Sequence, residues 1–453
     1  MELDKTGRKG DALFSNRDLK NLIIPLFIEQ LLVMLVGIAD TFVISFVSEA
    51  AVSGVSLVNS FNTIFIYLFA AFASGGAVVI SQYIGRKDTS NAGKASSQML
   101  SASVFFSVIV GGLILFTNEQ LMRMLFGRVE ADVMEACVTY LRISAYSYPA
   151  IAIYNSGASL YRSVGKTSVT MCISLISNII NIAGNIIAVF ALNAGVAGVA
   201  YASLIARAFS AISITILCFS HKKTIRYEKQ SILKWNPVLL RQILNVAIPN
   251  GIESGIFQFV KVALSSVVAL FGTYQIAANG VAQSIWSLAA LVGVAMGPAF
   301  ITVIGQCMGA GDTPAAEHYF KKLIKITILF SLIWNMAIIS VTPIIMRFFV
   351  LSDETKQLVI ILVLIHNIFN SIAFPFADPL GRGLRTTGDI TFTMGISIAS
   401  TVGGRLLFSL IFGIVLNLGV IGIALAMCLD WVIRAIIFWL RFKSAKWKTY
   451  KVI

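Results

Sequence analysis

The sequence predicts an all-α polytopic membrane protein: twelve transmembrane helices in two six-helix lobes related by a pseudo-two-fold axis. Three observations predict it. Of 453 residues, 57% are hydrophobic and 12% charged, about half the charge of a soluble domain. The apolar residues form continuous runs long enough to cross a hydrocarbon core, which needs about 20 residues, and they do not alternate as the strands of a closed barrel would. The chain also repeats itself at a nearly fixed offset.

Twelve apolar segments follow in order: 21–46, 57–84, 96–117, 132–155, 168–190 and 196–219 in the first half, then 242–271, 276–307, 322–345, 357–380, 390–414 and 419–440 in the second. Residues 1–20 are polar and mixed in charge, with no apolar h-region, and read as a cytoplasmic lead-in rather than a signal peptide. The expected organisation is an N-lobe over 21–220, a cytoplasmic linker over 221–240, a C-lobe over 241–441 and a cytoplasmic tail over 442–453.

Lysine and arginine set the orientation. One side carries Lys5, Arg8, Lys9, Arg17 and Lys20, then Arg86, Lys87, Lys94, Arg162 and Lys166, then the linker cations Lys222, Lys223, Arg226, Lys229, Lys234 and Arg241. Lys321, Lys322, Lys325, Arg382, Arg385 and the cations from Arg441 to Lys451 continue it, whereas the opposite loops hold only Arg123, Arg128, Arg347 and Lys356. The basic side is expected to be cytoplasmic, with both termini inside the cell membrane. The net charge of +14 is therefore loop charge required by topology, and no nucleic-acid partner is expected. The five cysteines, Cys137, Cys172, Cys218, Cys307 and Cys428, lie in apolar segments without a CxxC pair, so neither a zinc site nor a disulfide framework is indicated.

The repeat is visible in pairs. Pro25-x3-Glu29 returns as Pro249-x3-Glu253, Gln82-x2-Gly85-x2-Asp88-Thr89 as Gln306-x2-Gly309-x2-Asp312-Thr313, and Gly195-x2-Gly198 as Gly419-x2-Gly422, all at an offset of 224. Arg162-x2-Gly165 returns as Arg385-x2-Gly388 at 223. Each unit holds an even number of spans, so the two share one orientation and their axis runs along the membrane normal, an architecture of transporters.

Within this frame Asp40 stands out. Its segment carries no other charge but Glu29, and its repeat copy is Leu264. A carboxylate at membrane depth costs at least ~2.5–3.5 kcal/mol on insertion scales and commonly marks an ion path. An acid kept in one half and absent from the other points to a cation site in the first half. Glu29 lies eleven residues earlier, close to three helical turns, so both acids share a face roughly 16 Å apart. Pro25, one turn before Glu29, removes a backbone hydrogen bond and invites a bend.

Ile24-Pro25, Glu29-Gln30, Ala39-Asp40-Thr41, Ser81-Gln82-x2-Gly85, Gly305-Gln306-x2-Gly309, Gly383-Leu384-Arg385-x2-Gly388-Asp389 and Ala426-Met427-x2-Asp430-Trp431-x2-Arg434, with Arg441 and Lys446-Trp447 beyond, resemble in order and spacing the MATE (multidrug and toxic compound extrusion) family. The resemblance covers nearly the whole chain and is to the bacterial type with its coupling acid in the first helix. It implies a multidrug exporter that is not an enzyme: a secondary antiporter taking H⁺ or Na⁺ as coupling ion, with no other cofactor, and small organic cations or amphipathic drugs as its partners in the lipid bilayer. A monomer is expected. Gly165-Lys166-Thr167 looks like the end of a Walker A motif, but Leu160 replaces its first glycine, so the P-loop reading fails.

The resemblance places the coupling site at Asp40, Asn181, Asn185 and Ser203. Members that pair an asparagine with an aspartate four residues on in the fifth helix have Asn185 replaced by the acid. Asn and Ser oxygens are hard neutral ligands, able to hold Na⁺ with Asp40 or to hydrogen-bond a protonated acid. One acid instead of two favours H⁺ over Na⁺. Glu29, Glu253 and Asp378 are candidate gate or substrate contacts, Glu29 having as its alternative an ion pair with a basic loop residue. Another branch of the family uses an acid eight residues after the proline of helix seven; Phe257 stands there, so that site is not expected. Lys261 and Arg405 are expected to neutralise Glu253, Asp378 or Asp430. Asn178 is read as a packing residue or a helix–helix hydrogen bond rather than a ligand, and His366 as a satisfied core residue.

Two competing readings remain at this level. A lipid-linked oligosaccharide flippase of the same superfamily would hold a pyrophosphate in a basic cavity, for which Lys261 and Arg405 speak. A major-facilitator transporter is suggested by Gly85-Arg86-Lys87-Asp88 and opposed by the closing Asp-Trp motif. No nucleophile–base constellation indicates an enzyme.

Overall fold

The computed structural model describes residues 13–127, 129–220, 225–349 and 351–453. The lead-in cations Lys5, Arg8 and Lys9, the loop residue Arg128 and the linker residues Lys222 and Lys223 lie outside the described residues. The described chain is helical, with no strand among the described residues.

The first lobe runs α1 (Asn16–Ile44), α2 (Glu49–Gly85), α3 (Thr89–Phe126), α4 (Ala131–Tyr146), α5 (Tyr148–Ser163), α6 (Thr167–Ile186) continued by a π-helical turn (Ile187–Ala191), and α7 (Gly195–Phe219). After the short linker helix α8 (Lys229–Leu233) the second lobe runs α9 (Pro237–Val268), α10 (Thr273–Ala289), α11 (Leu291–Gly309), α12 (Thr313–Phe348), α13 (Asp353–Ile372), α14 (Phe374–Ala377), α15 (Pro379–Thr386), α16 (Ile390–Ala399), a π segment (Ser400–Leu407), α17 (Phe408–Leu410), a second π segment (Ile411–Val415) and α18 (Gly419–Lys443).

Among the described residues, eleven segments are each long and apolar enough to cross a membrane. The twelfth is the fourth predicted span, which is longer than 132–155 and broken into α4 and α5 at Ser147. Pro149, in the first turn of α5, has no N–H to continue the ladder. Pro375 and Pro379 divide the tenth span in the same way, so that it extends past residue 380 to Thr386. This is the expected twelve-helix, two-lobe fold.

The repeat extends to the backbone. Left-handed φ values occur in pairs at Lys87 (63°) and Gly311 (73°), Asn193 (48°) and Asn417 (54°), and Gly165 (80°) and Gly388 (105°). Asp88 caps α3 through the N–H of Asn91, and its copy Asp312 caps α12 through that of Ala315.

The lobes meet at the end that carries the basic loops. Leu19, Leu22 and Leu26 of α1 pack with Phe300, Val303 and Ile304 of α11 and Tyr319 of α12 in one buried cluster. The two Gln-x2-Gly motifs cross there. Gln82 Nε2 donates to Thr386 O at 2.6 Å, and its copy Gln306 Nε2 donates to Ser163 O at 2.7 Å. A Cβ on Gly85 would lie 1.9 Å from Gln306 O, and one on Gly309 would lie 1.8 Å from Gln82 O, so only glycine admits this approach. Further hydrogen bonds join Thr302 to Arg162 O at 2.9 Å and Tyr83 to Gln242 at 3.0 Å. Among the described residues, the inter-lobe hydrogen bonds lie in this half.

The linker and tail close over the same end. Gln98 of α3 donates to the carbonyls of Ser231 and Lys234. Trp447 is buried against Phe320 and Phe442, Lys448 pairs with Glu317 at 2.6 Å, and Arg441 pairs with Asp389 at 2.6 Å.

Candidate functional site

Asp40 sits near the outer end of α1, which packs along α6. The α6 helix presents Asn181 and Asn185, one turn apart on one face, and α7 returns beside it with Ser203. Asn185 Nδ2 donates to Asp40 Oδ1 at 2.6 Å and lies 3.2 Å from Asn181 Oδ1. Asn181 Nδ2 donates to Ser203 Oγ at 3.0 Å. The structure thus brings all four predicted residues into one hydrogen-bonded chain across three helices. Asn181, Asn185 and Ser203 are buried and Asp40 is half-buried. Asn185 Oδ1 has no partner. The π-helical turn begins two residues after Asn185; such turns concentrate at functional sites.

Two residues that the sequence reading passed over complete the surroundings. Arg207 of α7 lies within electrostatic reach of Asp40 and is held at Ser147, the break between α4 and α5, by a bond of 2.7 Å from Nη1 to Oγ. Tyr140 is buried, with its hydroxyl beside Ser203 and Asn59. Arg207 follows Ser203 by one turn, which was the available signal. Tyr140 is one aromatic among many and carried none.

Glu29 occupies a different place. Its carboxylate accepts from Arg162 Nη2 at 2.7 Å, Tyr154 OH at 2.9 Å and Thr170 Oγ1 at 2.9 Å. Its copy Glu253 accepts from Arg385 Nη2 at 2.7 Å, and Arg385 also reaches Asn250 Oδ1 at 3.1 Å. Each lobe therefore keeps the same glutamate–arginine pair. Asp378 pairs with Arg382 at 3.0 Å, and Asp430 with Arg434 at 2.6 Å.

These pairings correct two expectations. Lys261 and Arg405 form a salt bridge with none of the three acids, each of which has its own arginine one turn away or on the neighbouring helix, although Asp430 lies within electrostatic reach of Arg405. His366 is buried but not satisfied: neither ring nitrogen has a partner. Asn178 Nδ2 makes no hydrogen bond, which agrees with the packing reading of that residue.

No group of three or more metal-ligating side chains of the His, Cys, Asp or Glu type occurs among the described residues. The donor set at Asp40 is one carboxylate, two amides and a hydroxyl. Those groups can hold a proton or ligate a small hard cation.

A family model described as MatE matches residues 25–187 and again 249–411, two stretches that begin 224 residues apart. The chain is 27% identical over 456 residues to YisQ of Bacillus subtilis, described as an uncharacterized transporter, covering 98% of this chain and 96% of that one. It is 23% identical over 443 residues to the probable multidrug resistance protein NorM of Thermotoga maritima, covering 96% and 94%. A solved structure described as the outward-facing conformation of a multidrug resistance MATE family transporter of the MOP superfamily superposes with a TM-score of 0.86 at 21% identity, covering 98% of each chain.

Proposed function

The chain belongs to the MatE family of membrane transporters, and on that premise we propose that it is a secondary multidrug exporter. It exchanges H⁺ or Na⁺ for cationic or amphipathic organic compounds by alternating access, with its basic face and both termini in the cytoplasm. The names of its relatives support multidrug export. The observation that carries the coupling is the chain Asp40–Asn185–Asn181–Ser203 inside the first lobe.

Asp40 is the switch. Ionised, it accepts from Asn185 Nδ2, as observed. Protonated, its hydroxyl has an acceptor waiting in the free Asn185 Oδ1, and acid and amide close a two-bond ring. That fit favours H⁺. Na⁺ needs more oxygen ligands than Asp40 and Asn185 Oδ1 supply, so Asn181 would have to turn and give up the bond it now donates to Ser203. The inter-lobe hydrogen bonds gathered at the basic end support reading this as the state open away from the cytoplasm. Proton binding and drug binding favour opposite states, and by linkage each weakens the other.

Uptake of ethidium into proteoliposomes under an imposed pH or sodium gradient tests this. Wild type is expected to respond to the pH gradient, with transport lost in Asp40→Asn. An unimpaired Asp40→Asn would remove Asp40 from the coupling role. Absence of transport under both gradients would favour the flippase reading, which draws on the unpaired cations of the second lobe.

A further inference from the structure

The second lobe contains a counterpart of the Asp40 site with its polarity reversed. At the offset of 224, Asn181 corresponds to Arg405, Ser203 to Met427 and Asp40 to Leu264. The bond between them is repeated too. Where Asn181 donates to Ser203 Oγ, Arg405 Nη2 points at Met427 Sδ at 2.9 Å. The site's acid is gone and a guanidinium stands where an amide stood. As in the first lobe, the residue belongs to a span with a π-helical segment, here Ser400–Leu407.

Arg405 is only 5% exposed, yet its Nε and Nη1 have no partner. A thioether is a weak acceptor, and the other neighbour is the ring of Phe257, 5.0 Å from the guanidinium carbon. His366, 1% exposed and with both nitrogens free, lies within electrostatic reach. So does Lys261, exposed on α9 one turn beyond Phe257. The one acid near Arg405 is Asp430, and both its oxygens are engaged, by Arg434 at 2.6 Å and Ser400 at 2.7 Å. One carboxylate, already engaged, thus stands near two guanidiniums, and Lys261 adds a further positive charge beside Arg405. Buried cations inside membrane bundles are paired or serve a ligand, and a guanidinium with an open edge matches an oxyanion.

We propose that Arg405, Lys261 and His366 form an anion site in the second lobe, which takes the carboxylate or phosphate group of an amphipathic compound. Arg405 supplies the buried fork, Lys261 the charge at its approach, and His366 a further donor. The two lobes then offer opposite poles, an acid at Asp40 and a base at Arg405.

Equilibrium binding of radiolabelled cholate to the full chain in nanodiscs of phosphatidylcholine alone tests the site without any gradient, so its outcome is separate from that of the transport assay. Inorganic phosphate and added phosphatidylglycerol serve as competitors. Cholate is expected to bind, Arg405→Gln to weaken it at least tenfold and Lys261→Gln several-fold. Competition by phosphatidylglycerol and not by phosphate would assign the same site to a lipid headgroup; competition by phosphate would assign it to soluble anions. Lys261→Gln, an exposed substitution, guards against misfolding of the Arg405 variant. Cholate binding unchanged in both variants, or no binding of cholate, phosphate or phosphatidylglycerol to wild type, would overturn the proposal.

Discussion

Glu29 and Glu253 occupy equivalent positions in the two halves and hold equivalent arginines, but they are not equally supported. Glu29 accepts three hydrogen bonds, from Arg162, Tyr154 and Thr170, and its side chain is 3% exposed. Glu253 accepts from Arg385 through Oε1, while its Oε2 has no partner and its side chain is 18% exposed. Removing one partner of a buried pair costs about 3–5 kcal/mol, mainly because the other charge is left uncompensated. Glu29→Gln is therefore expected to lower the thermal unfolding midpoint in detergent more than Glu253→Gln does. Replacing both members, Glu29→Gln with Arg162→Gln, should restore part of the loss. Equal effects at the two sites would show that Tyr154 and Thr170 add nothing. The acids themselves were legible in the sequence, as was their equivalence in the repeat. The partners were not legible, because Arg162 lies 133 residues from Glu29 and no local spacing links them. Arg405 shows the converse. Composition suggested that it neutralise an acid, and only the packing reveals that every nearby acid is already taken.

Helices in this molecule were read from their apolar runs, which locate each span but say little about its interior. The break at Ser147 lies inside an unbroken apolar pattern, and Pro149 was its only mark. The π turn after Asn185 has no mark, since its residues suit an α-helix equally well, and around Arg405 the pair Gly403-Gly404 marks a weak point in the helix without specifying a π segment. The glycines of the α2–α11 crossing were legible as a repeated motif, and the structure supplies the reason for them. At Gly85 and Gly309 each helix touches the other's backbone, so added atoms cannot be absorbed by a side chain turning aside. Gly85→Leu is expected to force α2 and α11 apart while leaving each lobe intact. In a Cys172→Ser background, cross-linking of Tyr83→Cys to Gln242→Cys by a bismaleimide that spans the gap left by the two long side chains should proceed readily and fall several-fold when Gly85→Leu is added. The wild-type side chains at those positions are 3.0 Å apart. An undiminished yield would mean that the two helices slide past one another instead of parting.

At the scale of the whole molecule, the two lobes are held at the basic end by a small set of symmetric contacts, and the alternating access proposed above would require those contacts to break. Gln82 and Gln306 each cross the pseudo-two-fold axis to a backbone carbonyl of the opposite lobe. These bonds exist only while that end is closed, so removing them weakens the closed state and leaves the other state untouched. Each is worth about 1 kcal/mol net, and losing both shifts the equilibrium by about 2 kcal/mol, or about 30-fold, toward opening at the basic end. Ser81 reports on that change. It is fully buried at the crossing and bonds only within its own lobe, to Ala77 O and Ser163. A cysteine at position 81, again with Cys172→Ser, should resist a membrane-impermeant maleimide in the otherwise unaltered chain. Adding Gln82→Ala and Gln306→Ala should speed its labelling at least tenfold in inside-out vesicles and leave it unlabelled in intact cells. Faster labelling from outside instead would place the basic end on the far side of the membrane. Unchanged labelling from either side would mean that the apolar contacts of α1 with α11, and not these two hydrogen bonds, hold the lobes together.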